Sequence, residues 1–266
     1  MNAHILKMHN GILQKNKMIL AMIKDSVHGL FKIFGLTVRK HNNQDDDKRR
    51  KSLRFMNLYT KYKEFTMIPI TQFVDNLAMV DRFKNTPGCI VECGVWRGGM
   101  SAAMAELCGR DRKYYLFDSF EGLPPANEND GKDAIDWQKN RDSEFYYDNC
   151  KAEMKYAKEA MELSGVKAPE LVQGWFNETL HMSNTGPIAI LRLDADWYES
   201  TMTCLNEFYK KVSSGGLVLI DDYNFWEGCS KAVHDYLSKN NLSDRIHQTE
   251  NGVAYIIKDE KIKRSW

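Results

Sequence analysis

Four carboxylates dominate the chemistry this sequence offers. Asp194 and Asp196 stand two positions apart at the end of one apolar run, and Asp221 and Asp222 are adjacent at the end of the next. Bringing them together costs several kcal/mol in repulsion and lost hydration unless a cation or protons compensate. A hard divalent ion is the economical answer. Magnesium favours oxygen ligands and keeps positions open for water or substrate, and no His or Cys cluster offers zinc a better site. Such an ion binds a substrate hydroxyl and lowers its pKa, while a carboxylate left free of it takes the proton as general base. Helix capping accounts for one or two of these aspartates, hardly for four.

A second constellation precedes them. Glu92-Cys93-Gly94-Val95-Trp96-Arg97-Gly98-Gly99 closes an apolar run and opens a helical pattern. Gly94 and Gly98 are expected to let a ligand approach the backbone, because a Cβ there would clash. The phosphate fingerprint fails, with Trp96 in place of the middle glycine and no Gly-Lys-Ser/Thr following. An acid and a bulky residue instead suggest a cofactor presenting an amine and a sugar. Asp118 lies 26 positions after Glu92. A carboxylate there receives the vicinal hydroxyls of a ribose or caps the next turn; beside Glu92 and the glycines, the adenosine reading is preferred.

These residues need elements to hold them. Cys89–Cys93, Tyr114–Asp118, Glu170–Gln173, Ile188–Asp194 and Gly216–Asp222 are short apolar runs rich in β-formers, alternating with helical patterns such as Gly99–Leu107 and Thr201–Val212. That alternation predicts a parallel sheet covered on both faces. Arg245–Glu250, the turn Asn251-Gly252 and Val253–Lys258 predict an antiparallel hairpin. The fold class is therefore α/β, a doubly wound, mostly parallel sheet with an antiparallel C-terminal hairpin. In such sheets ligands bind beyond the carboxyl ends of the strands, where the acids fall.

Composition narrows the classes. With 37 Lys+Arg against 36 Asp+Glu among 266 residues, the net charge is +1, which argues against a dedicated nucleic-acid partner. No apolar stretch is long enough to span a bilayer and no secretory signal is evident, so the expected compartment is the cytoplasm. The six cysteines show no zinc spacing and are expected as free, mostly buried thiols, Cys93 among them without a nearby His to activate it. His234 reads as an ordinary helix residue. Residues 1–59 form an N-terminal helical extension with an apolar stripe between Ile12 and Phe34, followed by an exposed polar linker from Lys40 to Lys51. The stripe asks for a surface on its own domain or a neighbouring subunit, and a homo-oligomer joined through it is expected. It also suits a cover over the active site or, less well, a membrane surface.

Five motifs in order carry a resemblance: the Glu92–Gly99 turn, Asp118-Ser119-Phe120-Glu121-Gly122-Leu123-Pro124, Gly174-Trp175-Phe176-Asn177-Glu178-Thr179-Leu180, Leu193-Asp194-Ala195-Asp196-Trp197-Tyr198-Glu199-Ser200-Thr201, and Asp221-Asp222-Tyr223. Over about residues 60–258 the chain resembles the macrocin O-methyltransferase (TylF-like) family, magnesium-dependent sugar O-methyltransferases of the class I, Rossmann-like S-adenosylmethionine fold. The resemblance implies Asp194, Asp221 and Asp222 as magnesium ligands and Asp196 as general base. It implies Glu92 and Gly94 at the methionine end of the cofactor, Asp118 at its ribose, Phe176 and Asn177 at its adenine, and Ser119 and Thr66-Met67 as further cofactor-binding residues.

The implied function is methyl transfer from S-adenosylmethionine to a hydroxyl of a sugar or glycosylated natural product, within a domain spanning 60–266. Residues 126–150 are too long for an ordinary connection and are expected as a lid and acceptor wall, with Trp137 either a sugar-stacking ring or a packed helix residue. The rivals are a magnesium-dependent methyltransferase of a catechol or other non-sugar hydroxyl, and a non-catalytic cofactor-binding scaffold.

Overall fold

A computed structural model describes residues 43–260. The predicted Ile12–Phe34 helix, with the oligomer contact assigned to it, lies outside the described residues. The first described element is helix α1 (Asn43–Tyr62). Its opening turns are the segment expected as a linker, and the order of charges explains the difference. Asp46 and Asp47 sit near the positive end of the helix macrodipole, and each precedes a base by four residues. A charge run with that phase supports a helix where composition alone suggested a solvated tether. From Arg50 onward the described residues belong to one compact unit, which includes most of α1. Phe55, Leu58 and Tyr62 form the buried stripe of α1.

The remaining elements run α2 (Ile70–Phe83), β1 (Cys89–Cys93), α3 (Gly99–Cys108), β2 (Tyr114–Asp118), α4 (Gly131–Lys139), α5 (Met154–Ser164), β3 (Glu170–Gln173), α6 (Phe176–Thr179), β4 (Ile188–Leu193), α7 (Tyr198–Phe208), β5 (Val212–Ile220), α8 (Glu227–Lys239), β6 (Ile246–Gln248) and β7 (Ala254–Ile257). They build one seven-stranded sheet in the order β3-β2-β1-β4-β5-β7-β6. The first five strands are parallel; β7 runs antiparallel to both β5 and β6. Strands β1 and β4 are buried along their whole length, which is why they read as apolar runs broken only by Glu92 and Arg192, whereas edge strand β3 is half open.

Alternate strand residues feed two cores. Ile90, Leu116, Ile190 and Leu219 pack with α1, α2, α3 and α5 on one face. Val91, Phe117, Leu191 and Val218 pack with α7 and α8 on the other. The order reverses between β1 and β4, and the crevice beyond their carboxyl ends is where a doubly wound sheet binds ligands.

Two local expectations change. The helix expected to reach Val212 stops at Phe208, because Val212 already pairs with Ile188 as the first residue of β5. The hairpin loop is five residues, Thr249 to Val253, rather than a two-residue turn, and only Gly252 takes a positive φ. All six cysteines are free, four of them buried.

Candidate active site

The strand ends open into a cavity of about 1050 Å³, just above the usual size range of small-molecule sites. Met67, Gly94, Asp118, Ser119, Phe176, Asn177, Asp194, Asp196, Asp221 and Asp222 all line it, so the structure gathers most of the residues singled out from sequence. Thr66 and Glu92 do not line it. Thr66 faces its own turn, accepting the N–H of Ile68. Glu92 is 1% exposed, one oxygen taking Ser101 Oγ–H and the other Arg192 Nη1 at 2.7 Å. Both therefore stand behind the wall.

Arg192 is the feature that sequence reasoning missed. It is the sole charged residue of β4, 1% exposed, directly across the ladder from Glu92. Its guanidinium also reaches Asp194 Oδ2 and Asp221 Oδ1, each at 2.8 Å. One buried cation thus joins the ends of β1, β4 and β5. The signal was present: an arginine within an otherwise apolar strand must find carboxylates, since its charge cannot be shed. Asn76 on α2 adds a second anchor, donating to Asp221 Oδ1 at 3.3 Å.

Arg192 does not neutralise the cluster. Glu92, Asp194, Asp196, Asp221 and Asp222 supply five carboxylates against it. Burial pushes Asp194 up to about 6 despite its ion pair. Burial and then the Asp194 charge push Asp196 up to about 8, and burial with the Asp196 charge holds Asp222 well above the usual carboxylate range. Glu92 rises to about 7 through burial, against the pull of Arg192.

Oxygens of Asp194, Asp221 and Asp222 lie within 4.8 Å of one another. Octahedral magnesium, with ligand oxygens about 2.1 Å away, needs a set little tighter than this. The uncompensated charge and the all-oxygen donors fit such an ion.

Asp196 is placed differently. It sits in left-handed backbone (φ 54), its N–H bonds Asp222 Oδ2 at 3.0 Å, and Trp226 Nε1–H donates to its Oδ1 at 3.0 Å. It belongs to the cavity wall but not to the three-carboxylate set.

The acids give a pH signature. In the ion-free protein their folded pKa values exceed the unfolded ones near 4, so the native state binds more protons between about pH 4 and 8. Stability is then expected to fall as pH rises through that window, opposite to an ordinary salt-bridged carboxylate. Thermal melts in chelator should show a lower midpoint at pH 8 than at pH 5.5, and added magnesium should close the gap. A midpoint that rises with pH in chelator would refute the reading.

At the other end of the crevice, Asp118 accepts three backbone N–H groups, from Val95 (2.7 Å), Trp96 (2.8 Å) and Phe120 (2.6 Å). It caps two turns and lines the cavity at once, so the two roles considered from sequence are compatible. Ser119 braces the second turn through Glu121 N and Gly122 O. The glycines need a different explanation from the one expected. At Gly94 (φ +87) a Cβ would lie 1.7 Å from the Asp194 carbonyl oxygen, and at Gly98 (φ +81) 2.9 Å from Ala157 Cα. Chain packing by itself requires them, and Gly94 lines the cavity as well.

The segment 126–150 contributes to the wall through Trp137, Phe145, Tyr147 and Cys150. It is fastened down: Asp130 accepts Tyr198 N–H at 2.7 Å, while Gln138 and Asn149 donate to the carbonyls of Pro124 and Leu123. Trp137 packs edge-on against Trp197 and Trp226, its N–H held by the Phe145 carbonyl, so packing claims most of its ring. Cys93 is buried with its thiol well above the usual range, and His234 pairs with Tyr223 outside the cavity, so neither joins the chemistry.

A family model described as Macrocin-O-methyltransferase (TylF) matches residues 16–258. Two curated relatives are 34% identical: the 8-demethyl-8-(2,3-dimethoxy-alpha-L-rhamnosyl)-tetracenomycin-C 4'-O-methyltransferase of Streptomyces olivaceus over 62% of this chain, and the demethyldecarbamoylnovobiocin O-methyltransferase of Streptomyces niveus over 64%. The chain spans 63% and 66% of their respective lengths. Among solved structures, the O-methyltransferase NovP matches with TM-score 0.62 and 29% identity over 74% of this chain and 83% of its own. The calicheamicin methyltransferase CalS11, at 20% identity and TM-score 0.52 over 83% of this chain and 98% of its own, shares the fold.

Proposed function

The chain belongs to the macrocin O-methyltransferase (TylF) family, and from that premise we propose that it transfers a methyl group from S-adenosylmethionine to a hydroxyl of a sugar or glycoside, with magnesium. The observation that carries this reading is Asp196 on the wall of the cavity beside three carboxylates spaced for one ion. When bound, the cofactor supplies an electrophilic sulfonium methyl, and the ion supplies a Lewis acid that acidifies the acceptor hydroxyl.

The chain's own residues do the rest. Asp194, Asp221 and Asp222 would hold the ion, with Arg192 and Asn76 fixing two of them from behind. Asp196 takes the hydroxyl proton, and Trp226 orients it for that task. Asp118, Ser119, Phe176, Asn177, Gly94 and Met67 line the cavity, where Asp118 would receive the ribose, Phe176 and Asn177 the adenine, and the others the remainder of the cofactor. Glu92 acts on the methionine end only through Arg192 and the strand end it secures. Positioning the two reactants in one cavity, with water displaced, supplies much of the rate.

Calorimetry tests the reading. S-adenosylmethionine is expected to bind, and label from its methyl group is expected to appear in glycosides only when magnesium is present. Failure of the cofactor to bind removes every methyltransferase reading and the cofactor-binding scaffold with them, whereas binding without methyl transfer to any acceptor leaves the scaffold. Methylation of catechols but of no glycoside would transfer the assignment to the non-sugar class.

A further inference from the structure

Asp196 stands at the centre of a three-residue turn. The Trp197 N–H bonds the Ala195 carbonyl at 2.6 Å across it, and Asp196 takes φ 54. Turns of this kind are rare and persist only where their surroundings fix them. Asp222 and Trp226 hold Asp196 itself, and the two residues after it reach the β2–β3 connection. Trp197 Nε1–H donates to the Pro124 carbonyl at 2.9 Å, and Tyr198 N–H to Asp130 Oδ1 at 2.7 Å.

Asp130 is built for that contact. It is 1% exposed, its second oxygen accepts the Asn127 N–H at 2.8 Å, and it does not line the cavity. Tyr198 opens α7, where the first N–H groups lack partners within the helix, and the N-cap residue Trp197 supplies no capping oxygen. A carboxylate from 68 positions earlier takes that place. The same side chain meets α8. At Gly228, in its first turn, a Cβ would lie 2.7 Å from Asp130 Oδ1, and α8 starts directly after Trp226, the donor to Asp196.

Resting on the methyltransferase reading above, we propose that Asp130 is a positioning residue for Asp196, locking the starts of α7 and α8 together so that Asp196 and the Trp226 indole meet in one arrangement. The β2–β3 connection is then a clamp on the turn that carries Asp196 as well as a wall of the cavity. Asp130 touches neither reactant and acts through Tyr198 and Gly228.

The full chain, isotope-labelled on its tryptophan indole nitrogens and free of cofactor and acceptor, reads this arrangement by NMR. Trp226→Phe assigns the Trp226 indole signal, and Asp196→Ala gives its position once the bond is gone. Asp130→Ala and Tyr198→Pro are each expected to carry the signal from the parent position most of the way to that of Asp196→Ala. Proline suits a first helical position, and Trp197 (φ −89, ψ 157) has the extended backbone that precedes one, so Tyr198→Pro removes a donor without ending α7. Asn127→Ala and Tyr198→Phe, which cut only the bonds to Asn129 N–H and to Asp235, should leave the signal in place. In the label-transfer assay, Asp130→Ala should lower kcat by about 10²-fold at an unchanged KM for S-adenosylmethionine. A Trp226 signal that stays at the parent position in either variant, with only the melting temperature lowered, overturns the proposal. Absence of any labelled glycoside strikes the methyltransferase reading instead, and the spectrum still decides the role of Asp130.

Discussion

Asp196→Asn is expected to lower turnover by about 10²–10⁴-fold while leaving cofactor binding and the folded structure intact. The substitution is nearly isosteric, and asparagine accepts the left-handed backbone that Asp196 adopts. Its amide oxygen still receives the Trp226 N–H. What disappears is the ability to accept a proton. A charge that burial and the neighbouring Asp194 oppose disappears too, so the melting temperature should hold or rise. Single-turnover methyl transfer beside a cofactor titration separates these effects. Near-normal turnover would show that another group takes the proton, and a parallel loss of cofactor affinity would show that Asp196 is part of the binding surface.

Arg192→Met is expected to have the largest effect on the fold. Methionine keeps much of the volume and removes the charge, leaving Glu92, Asp194 and Asp221 without their common partner. Breaking a buried ion pair from one side costs about 3–5 kcal/mol. In a unit of this size that lowers the melting temperature on the order of 10 °C. Combining it with Glu92→Gln should recover part of the loss, because the most deeply buried of the stranded charges is removed as well. Arg192→Lys should fold better than the methionine variant but bind magnesium weakly, since one ammonium cannot bridge three strand ends as a planar fork does. A methionine variant melting within about 2 °C of the parent would mean that the cluster already carries compensating protons.

The strands and the acid cluster were legible because parallel strands are buried on both faces and ligand-bearing groups in such sheets collect at one end. Cys89–Cys93 and Glu170–Gln173 are found as read. What was not legible depends on partners distant in sequence. Glu92 looked like a cofactor ligand until its bond to a residue 100 positions away was seen. Gly94 looked like room for a ligand, whereas the Asp194 carbonyl occupies the space where a side chain would be. The charge run at the start of α1 misled for the opposite reason. Its information was local, in the order of acids and bases, and composition discarded it.

The Glu92–Arg192 pair also bears on how the sheet assembles. The two residues face each other in the β1–β4 ladder, on the face shared with Ile90 and Ile190. A slip of one residue would turn Arg192 toward the face of Val91, Cys93, Leu191 and Leu193, stranding an ion that cannot be neutralised among hydrocarbon side chains. Apolar strands such as CIVEC and IAILRL tolerate several alignments on hydrophobicity alone. The charges make one alignment far better than its neighbours, so this buried ion pair also acts as a proofreading mark for the central strands as they zip together.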